Sequence, residues 1–389
     1  MGQGGCALGE VKPMEVRLSK ASIGKAEIQN VVRVLESEFL GMGPQVGEFE
    51  KELSEFFGRP AICVSTGTAA LQLALQAIGV GRGDEVLVQS LTYVASFQAI
   101  SATGATAVCC DVNPANITLD LLDLESKITS KTKAIMPVHY AGGVGELDAI
   151  YELAKKYSLR VVEDAAHAFG STYKSHLVGS IGDTACFSFD GIKNITSGEG
   201  GCIVSADLDV ISAASDARLL GVHRDSQNRV KGQRTWSPEV DSQGWRYHMS
   251  DIMGAIGRVQ LSRIEIFAER RRSHLKRYKA FFSQSEFGAN LVELSDEVVP
   301  HIMPCLLTCD VDRDALLDSM GAAGVQCGKH YYPNHRLAYF SGNSRNLENT
   351  DSLAEKIFTI PMHVDLTNDQ IDYVCATLVK SIRELKLTG

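Results

Sequence analysis

The sequence predicts an α/β protein, with a large domain built on a mainly parallel sheet sandwiched by helices and a smaller C-terminal α+β domain. Three observations carry this. Between residues 60 and 205, short apolar, β-branched runs alternate with stretches of helical period, the pattern of parallel strands buried on both faces. Beyond about residue 290 that alternation stops and a different order of elements begins. The chain, at 389 residues, exceeds what one simple core organises.

In chain order, residues 1–20 open with the glycines of "MGQGGCALGEVKPMEV" and read as a flexible arm. Residues 21–265 form the large domain. Its strands are "AICVS", "DEVLVQS", "TAVCCDV", "KAIMPVHY", "RVVEDAA", "TACFSF" and "GCIVSA", with helices such as "TAALQLALQAIG" and "LDAIYELAKKYS" between them. One long helix is expected from Ser250, a plausible cap, through "MSDIMGAIGRVQLSRIEIFAERRRSHLKRYKAFF". Residues 266–389 form the small domain, in which "HIMPCLLT", "DRDALLDSMGAAG" and "VQCGKHYY" suggest strand, helix, strand. "TNDQIDYVCATLVKSIRELK" closes it as a helix.

Composition excludes several functions. Hydrophobic residues make up 44% and charged residues 22%, as in ordinary globular domains, and the net charge is -9. Nucleic-acid binding needs an excess of Lys and Arg, so no nucleic-acid partner is expected. No apolar run approaches the roughly 20 residues that span a bilayer, and no basic-then-apolar leader opens the chain. A cytoplasmic protein without a membrane partner is expected. The ten cysteines are scattered and form no CxxC pair, so free buried thiols are expected rather than disulfides or a metal site.

Ligands of parallel sheets gather beyond the carboxyl ends of the strands, and four groups fall there. "STGTAAL" (Ser65–Leu71) sets a glycine and hydroxyls at a helix start, where free amides and the dipole suit phosphate; a simple cap fits equally well. Asp164 ends the apolar run of "VVEDAAHAFGS"; a buried carboxylate needs a cationic or protonated partner, and His167 lies three residues on. Tyr93 follows the strand "DEVLVQS", as core or as a stacking plate. "FSFDGIKNITSGEGG" offers Ser188 as a hydroxyl and Lys193 as an amine in a glycine-rich turn. Desolvated in a cleft, that amine could form a Schiff base. Taken together, these supply a phosphate cradle, an aromatic plate, a carboxylate for a ring nitrogen and a lysine for an aldehyde, which are the needs of pyridoxal 5'-phosphate.

On "TGTAAL", "VEDAAHAFGS" and "FSFDGIKNITSGEGG" the chain resembles the DegT/DnrJ/EryC1/StrS sugar aminotransferases, a branch of the fold type I pyridoxal-phosphate enzymes. The resemblance extends from "EIQNVVRVLESEFLG" to "IPMHVDLTNDQIDYV". It implies that Lys193 holds the cofactor aldehyde and moves the proton in catalysis. It implies that Thr68, Ser188 and the Ala69 backbone bind the phosphate, Tyr93 stacks on the ring, Asp164 pairs with the ring nitrogen and His167 lies beside it. The segment "GWRYHMSDIMGAIGRVQL" is similar to the one that enters a neighbouring subunit's site, so a homodimer with shared sites is implied. There many family members carry Asn and Arg where this chain has Arg246 and His248; Arg246 is assigned to cofactor phosphate or to a substrate anion. Arg224, His330 and Tyr331 are the remaining substrate-side candidates.

The implied reaction moves an amino group from L-glutamate, leaving 2-oxoglutarate, to a keto- or aldehydo-sugar. A nucleotide-linked sugar of surface-polysaccharide or lipopolysaccharide synthesis is the first reading. Arg218, Arg224, Arg229, Arg234 and Arg246 in and before the insert "GVHRDSQNRVKGQRTWSPEVDSQGWRYH" equally suit a carboxylate. A carboxylated, non-nucleotide sugar such as an oxidised 3-deoxy-octulosonate is therefore the alternative. A pyridoxal-phosphate sugar dehydratase, a non-catalytic regulatory relative and an enzyme of amino acids alone are further rivals; the lysine argues against the first and its pairing with Asp164 against the second.

Overall fold

Residues 14–233, 236–284, 286–343 and 347–388 are described by a computed structural model. Helices α1 (Lys25–Glu36) and α2 (Pro44–Phe57) precede β1 (Ala61–Val64). Proline at the first position of α2 and Gly58 at φ 66 after its end are the residues that favour helix start and stop. There follow α3 (Gly67–Ala77), β2 (Glu85–Gln89), α4 (Val94–Ala102), β3 (Thr106–Cys110), α5 (Leu121–Ser126), β4 (Thr132–Met136), α6 (Leu147–Tyr157) and β5 (Arg160–Asp164). A small hairpin, β6 (Thr172–Tyr173) with β7 (His176–Leu177), leads to β8 (Thr184–Ser188) and β9 (Gly201–Ser205). Next come α7 (Leu208–Ala217), α8 (Asp225–Val230), α9 (Asp251–Ser262) and α10 (Ile264–Phe282). The C-terminal part adds β10 (Ala289–Leu291), β11 (Met303–Leu307), α11 (Arg313–Ala322), α12 (Glu348–Lys356), β12 (Ile357–Ile360) and α13 (Asn368–Thr388).

Seven strands form one sheet in the order β1-β9-β8-β5-β4-β2-β3. Its pairings are parallel except at β9, which runs against both β1 and β8. The seven strands are the seven apolar runs expected from the sequence. β1, β8 and β9 are buried along their whole length, as continuous apolar runs should be when helices cover both faces. Because only β9 is reversed, the carboxyl ends of β1, β2, β5 and β8 open on one edge of the sheet. The small sheet β10-β11-β12 packs with α10, α11 and α13 around Leu275, Phe358 and Leu378, and that core also takes in Leu91, Val112 and Tyr140 from the large sheet's loops.

Three expectations change. The long helix from Ser250 is two helices, broken at Arg263 (φ -105, ψ 2). Its guanidinium is drawn to Glu27 and to the Ser22 carbonyl and lies over the Phe267 ring, contacts that the helical period does not register. "VQCGKHYY" forms only isolated bridges, Val325 with Val16 and Gly328 with Thr359; the neighbours of β11 are the unforeseen β10 and β12. Residues 14–20, expected in a flexible arm, are tied down. Val16 is fully buried, Met362 N donates to Leu18 O at 3.0 Å, and Lys20 pairs with Asp365. Residues 1–13, including Cys6, lie outside the described residues. The nine described cysteines are free. No described helix is long and apolar enough to cross a membrane, and no cluster of metal-ligating side chains occurs among the described residues.

Candidate active site

The loops beyond β1, β2, β5 and β8 enclose a cavity of about 370 Å³. At its first wall, Thr66 caps α3 and its hydroxyl accepts from Ala69 N at 3.0 Å. The amides of Gly67 and Thr68 have no protein acceptor among the described residues. They are the unsatisfied donors of a helix N-terminus, suited to an anion. Ser188 stands against them. A Cβ on Gly67 would come within 2.8 Å of the Ser188 Cβ, and one on Gly201 within 2.8 Å of Gly67 N. The two glycines thus let three segments converge. Ala69, expected at the phosphate by its amide, does not line the cavity, because that amide is already capped by Thr66.

Asp164 is the last residue of β5 and is 5% exposed. Its Oδ1 accepts from Ala166 N at 3.2 Å and its Oδ2 from Ser96 Oγ at 2.6 Å, which fixes the carboxylate at the cavity wall. Ser96, on the first turn of α4, carries no motif and was not foreseen. His167 is buried. Its Nδ1 accepts from Ala141 N at 3.3 Å, so the proton sits on Nε2, which donates to the Tyr331 hydroxyl at 3.0 Å. Burial first, then the Lys193 charge, holds its pKa well below the ordinary range, so the ring is neutral. Tyr93, 57% exposed, lies at the mouth with its ring 5.6 Å from that of Tyr331.

Lys193 reaches the cavity from the turn after β8. Burial drives its pKa down from the ordinary 10.5 to about 8, against the opposing pull of Asp164 and Asp190. Its Nζ lies 3.4 Å from Nε2 of His301, a residue of the loop before β11 that sequence reasoning missed. His330 also lines the cavity, with Nδ1 2.7 Å from Thr359 Oγ1 and, chiefly through burial, a pKa near 4. Asp190 and Glu199 complete the charged lining. Below pH 8 Lys193 is an ammonium without a lone pair; above it the amine is free. In cofactor-free protein, acylation of Lys193 by an amine reagent, followed by peptide mass spectrometry, should rise with a midpoint near pH 8. A midpoint near 10.5 would mean that water reaches the amine.

The structure brings together Thr68, Tyr93, Asp164, His167, Ser188, Lys193, His330 and Tyr331 on one cavity. It does not bring Arg224 or Arg246 there. Arg224 is exposed beside Asp216, and Arg246 is exposed in a bridge with Leu219. The neighbouring Trp245 and Tyr247 stack on each other at 5.7 Å and donate to Gln76 and Gln72 of α3 in their own chain. Arg234 lies outside the described residues.

A model of the DegT/DnrJ/EryC1/StrS aminotransferase family matches residues 21–379. The chain belongs to this family. This aminotransferase is 33% identical over 374 residues to the spore coat polysaccharide biosynthesis protein SpsC of Bacillus subtilis (strain 168), covering 93% of this chain and 95% of SpsC. Among solved structures it is similar to Spr1654 from Streptococcus pneumoniae in its PMP form, at 28% identity and TM-score 0.89 over 96% of this chain and 99% of that one. The PLP form of Spr1654 superposes with TM-score 0.88 at the same identity, over 96% of this chain and 100% of that one. The sugar aminotransferase CalS13 from Micromonospora echinospora gives 29% identity and TM-score 0.85 over 93% and 99%. The fold is that of fold type I enzymes, and the cofactor of this aminotransferase is pyridoxal phosphate. The donor set fits that group: open amides and a hydroxyl at one wall, a fixed buried carboxylate at another, and a desolvated amine between them.

Proposed function

We propose that this aminotransferase moves an amino group from L-glutamate to a keto- or aldehydo-sugar, nucleotide-linked, for surface-polysaccharide synthesis, and that it does so as a cytoplasmic homodimer. The observation that carries the amino transfer is the meeting of the desolvated Lys193 amine, the fixed Asp164 carboxylate and the open Gly67 and Thr68 amides in one cavity. The names of SpsC and CalS13 support the sugar and polysaccharide assignment.

In this reading Gly67, Thr68 and Ser188 hold the cofactor phosphate, Tyr93 covers the ring, and Asp164 keeps a proton on the ring nitrogen. His167, neutral and tied to Tyr331, sets the ring's position. When bound, pyridoxal phosphate supplies an aldehyde that takes up the amino group and a ring that draws electrons from the adjacent carbon. Lys193 Nζ carries the proton away from the donor α-carbon, and in the second half-reaction it gives a proton to the acceptor carbon. A pKa near 8 suits both tasks, since the amine exchanges its proton near working pH. A panel of candidate amino sugars, run in reverse with 2-oxoglutarate, tests the acceptor. One nucleotide-linked amino sugar should be consumed at least about 10²-fold faster than its free sugar. Consumption of carboxylated amino sugars alone would favour the octulosonate alternative.

Two observations support shared sites. No arginine lines the cavity among the described residues, although a sugar diphosphate or carboxylate calls for one. An apolar face adjoins the site. Ile28, Val32 and Leu35 of α1 and Ile192, next to Lys193, are exposed, and an apolar cleft of about 370 Å³ runs between α1 and Gly191 and Gly198. Exposed clusters of this kind mark contact surfaces. In this reading a second copy seated there supplies Arg246 to the cavity, as the resemblance of its segment to one that enters a neighbouring subunit's site implies. Mixing Lys193→Ala with an inactive Arg246→Ala under subunit exchange should then restore activity, because one site per mixed dimer has both groups. Zero recovery despite exchange shown by mass would remove Arg246 from a shared site, and an active 42.1 kDa monomer in sedimentation would remove the dimer.

A further inference from the structure

His301 belongs to no motif, yet its ring is placed as if for the amine. It sits just before β11. Its N–H donates to Ala141 O at 3.1 Å, and its carbonyl accepts from buried Arg271 at 3.3 Å. The backbone is therefore held from both the large sheet's loops and α10. The side chain is buried, with its ring 4.4 Å from that of His167. Of its two nitrogens, Nε2 lies 3.4 Å from Lys193 Nζ, while Nδ1 is buried with no partner. A buried polar atom left unpaired lowers stability, so packing alone does not account for an imidazole here.

The tautomer follows from charge. Burial first, then the charge of Lys193 and that of Arg271, keeps this ring neutral. Below pH 8 Lys193 is an ammonium with donors only. Nε2 must then be the acceptor, and the ring proton must sit on the unpaired Nδ1. His167 cannot take this place, because both of its nitrogens are committed to Ala141 and Tyr331.

We infer that His301 is a positioning residue for Lys193: its Nε2 accepts from the Lys193 ammonium whenever that amine is free of the cofactor, and so holds the proton-carrying group at the reacting carbon. This rests on the reading of Lys193 as the reactive amine. Asp164 and Asp190 attract the ammonium through space, and Glu199 adds a third carboxylate at the rim. Neutral His167, His330 and Tyr331 complete the cavity wall. Among these groups His301 alone makes a hydrogen-bond contact with Nζ. It therefore governs where the amine rests rather than whether it is attracted.

The test uses three variants of the cofactor-free and loaded protein. Glutamine places an amide near the position of Nε2, asparagine near that of Nδ1, and phenylalanine keeps the ring without either nitrogen. A hydrogen bond to a charged group is worth about one pH unit or more in the donor's titration. In His301→Phe the midpoint for acylation of Lys193 should fall by about 1 unit from near 8, because the ammonium loses its acceptor. The loaded protein should lose about 10-fold in kcat with little change in KM. His301→Gln should recover most of both, and His301→Asn neither. Midpoints that stay within 0.2 unit of the parent in folded Phe and Asn variants, or that fall equally in Gln and Phe, would overturn the inference. If no variant folds, ¹⁵N-histidine spectra of unmodified cofactor-free protein at pH 7 decide: a proton on Nδ1 of His301 supports it, and one on Nε2 overturns it. Failure of the underlying reading would show differently, as normal turnover by Lys193→Ala.

Discussion

Lys193→Ala is expected to lower turnover by at least about 10⁴-fold, the scale of losing both a covalent attachment point and the group that moves the proton. Among the described residues Lys193 is the one lysine on the cavity, and its amine is desolvated to a pKa near 8. Another lysine would have to cross to the cavity to replace it, and the imidazoles there are held neutral by burial. The fold should survive, since among the described residues the side chain's hydrogen-bond contact is the one with His301. Removing an amine whose burial is unfavourable for its charged form should leave the melting temperature equal or higher. Borohydride treatment, which should fix the cofactor to the parent chain at Lys193, should fix none to the variant. Turnover within 10-fold of the parent would take Lys193 out of the mechanism.

Asp164→Asn is expected to fold and to lose about 10²- to 10³-fold in turnover, the range seen when one preorganised electrostatic partner is removed from a dry site. The substitution keeps the shape. The asparagine oxygen can still accept from Ala166 N, and its amide can donate to Ser96 Oγ, where the carboxylate now accepts. What it removes is the negative charge at the end of β5. Without that charge nothing else placed there keeps a proton on the cofactor ring nitrogen, and the ring withdraws electrons less well. Ser96→Ala should do less, about 10-fold, because the carboxylate stays but loses one of its two fixing contacts. Single-turnover kinetics with glutamate, together with the visible spectrum, measure both. Near-normal transfer by the asparagine variant would mean that Asp164 has a structural role.

Much of the molecule is legible in the sequence because its signals are local. The seven strands of the sheet announce themselves as apolar runs between turn residues, since a strand buried on both faces is apolar along most of its length. Asp164 and Ser188 are legible because each ends such a run, and Lys193 because it lies in the glycine-rich turn just beyond one, where the chain of a parallel sheet delivers ligand groups. Thr66 and Gly67 read as a helix start from the cap preference alone. Pyridoxal phosphate follows from requiring one chemistry to use all of these groups at once.

Other features were decided only in three dimensions. His301 and Ser96 lie 108 and 68 residues from the groups they touch, and neither sits in a pattern whose period or spacing points to a partner. At the break, Arg263 is held by Glu27, some 236 residues earlier. The small sheet depends on β10 and β12 pairing with β11, which joins segments far apart in the chain. The placing of residues 14–20 against Val325 and Met362 comes from contacts that span more than 300 residues. Sequence by itself determined the strands of the large sheet, several helix starts and the chemical types at the strand ends, because propensity and periodicity act over a few residues. The tertiary structure decided which distant groups share one dry cavity, because desolvation and hydrogen bonding depend on what surrounds an atom in space.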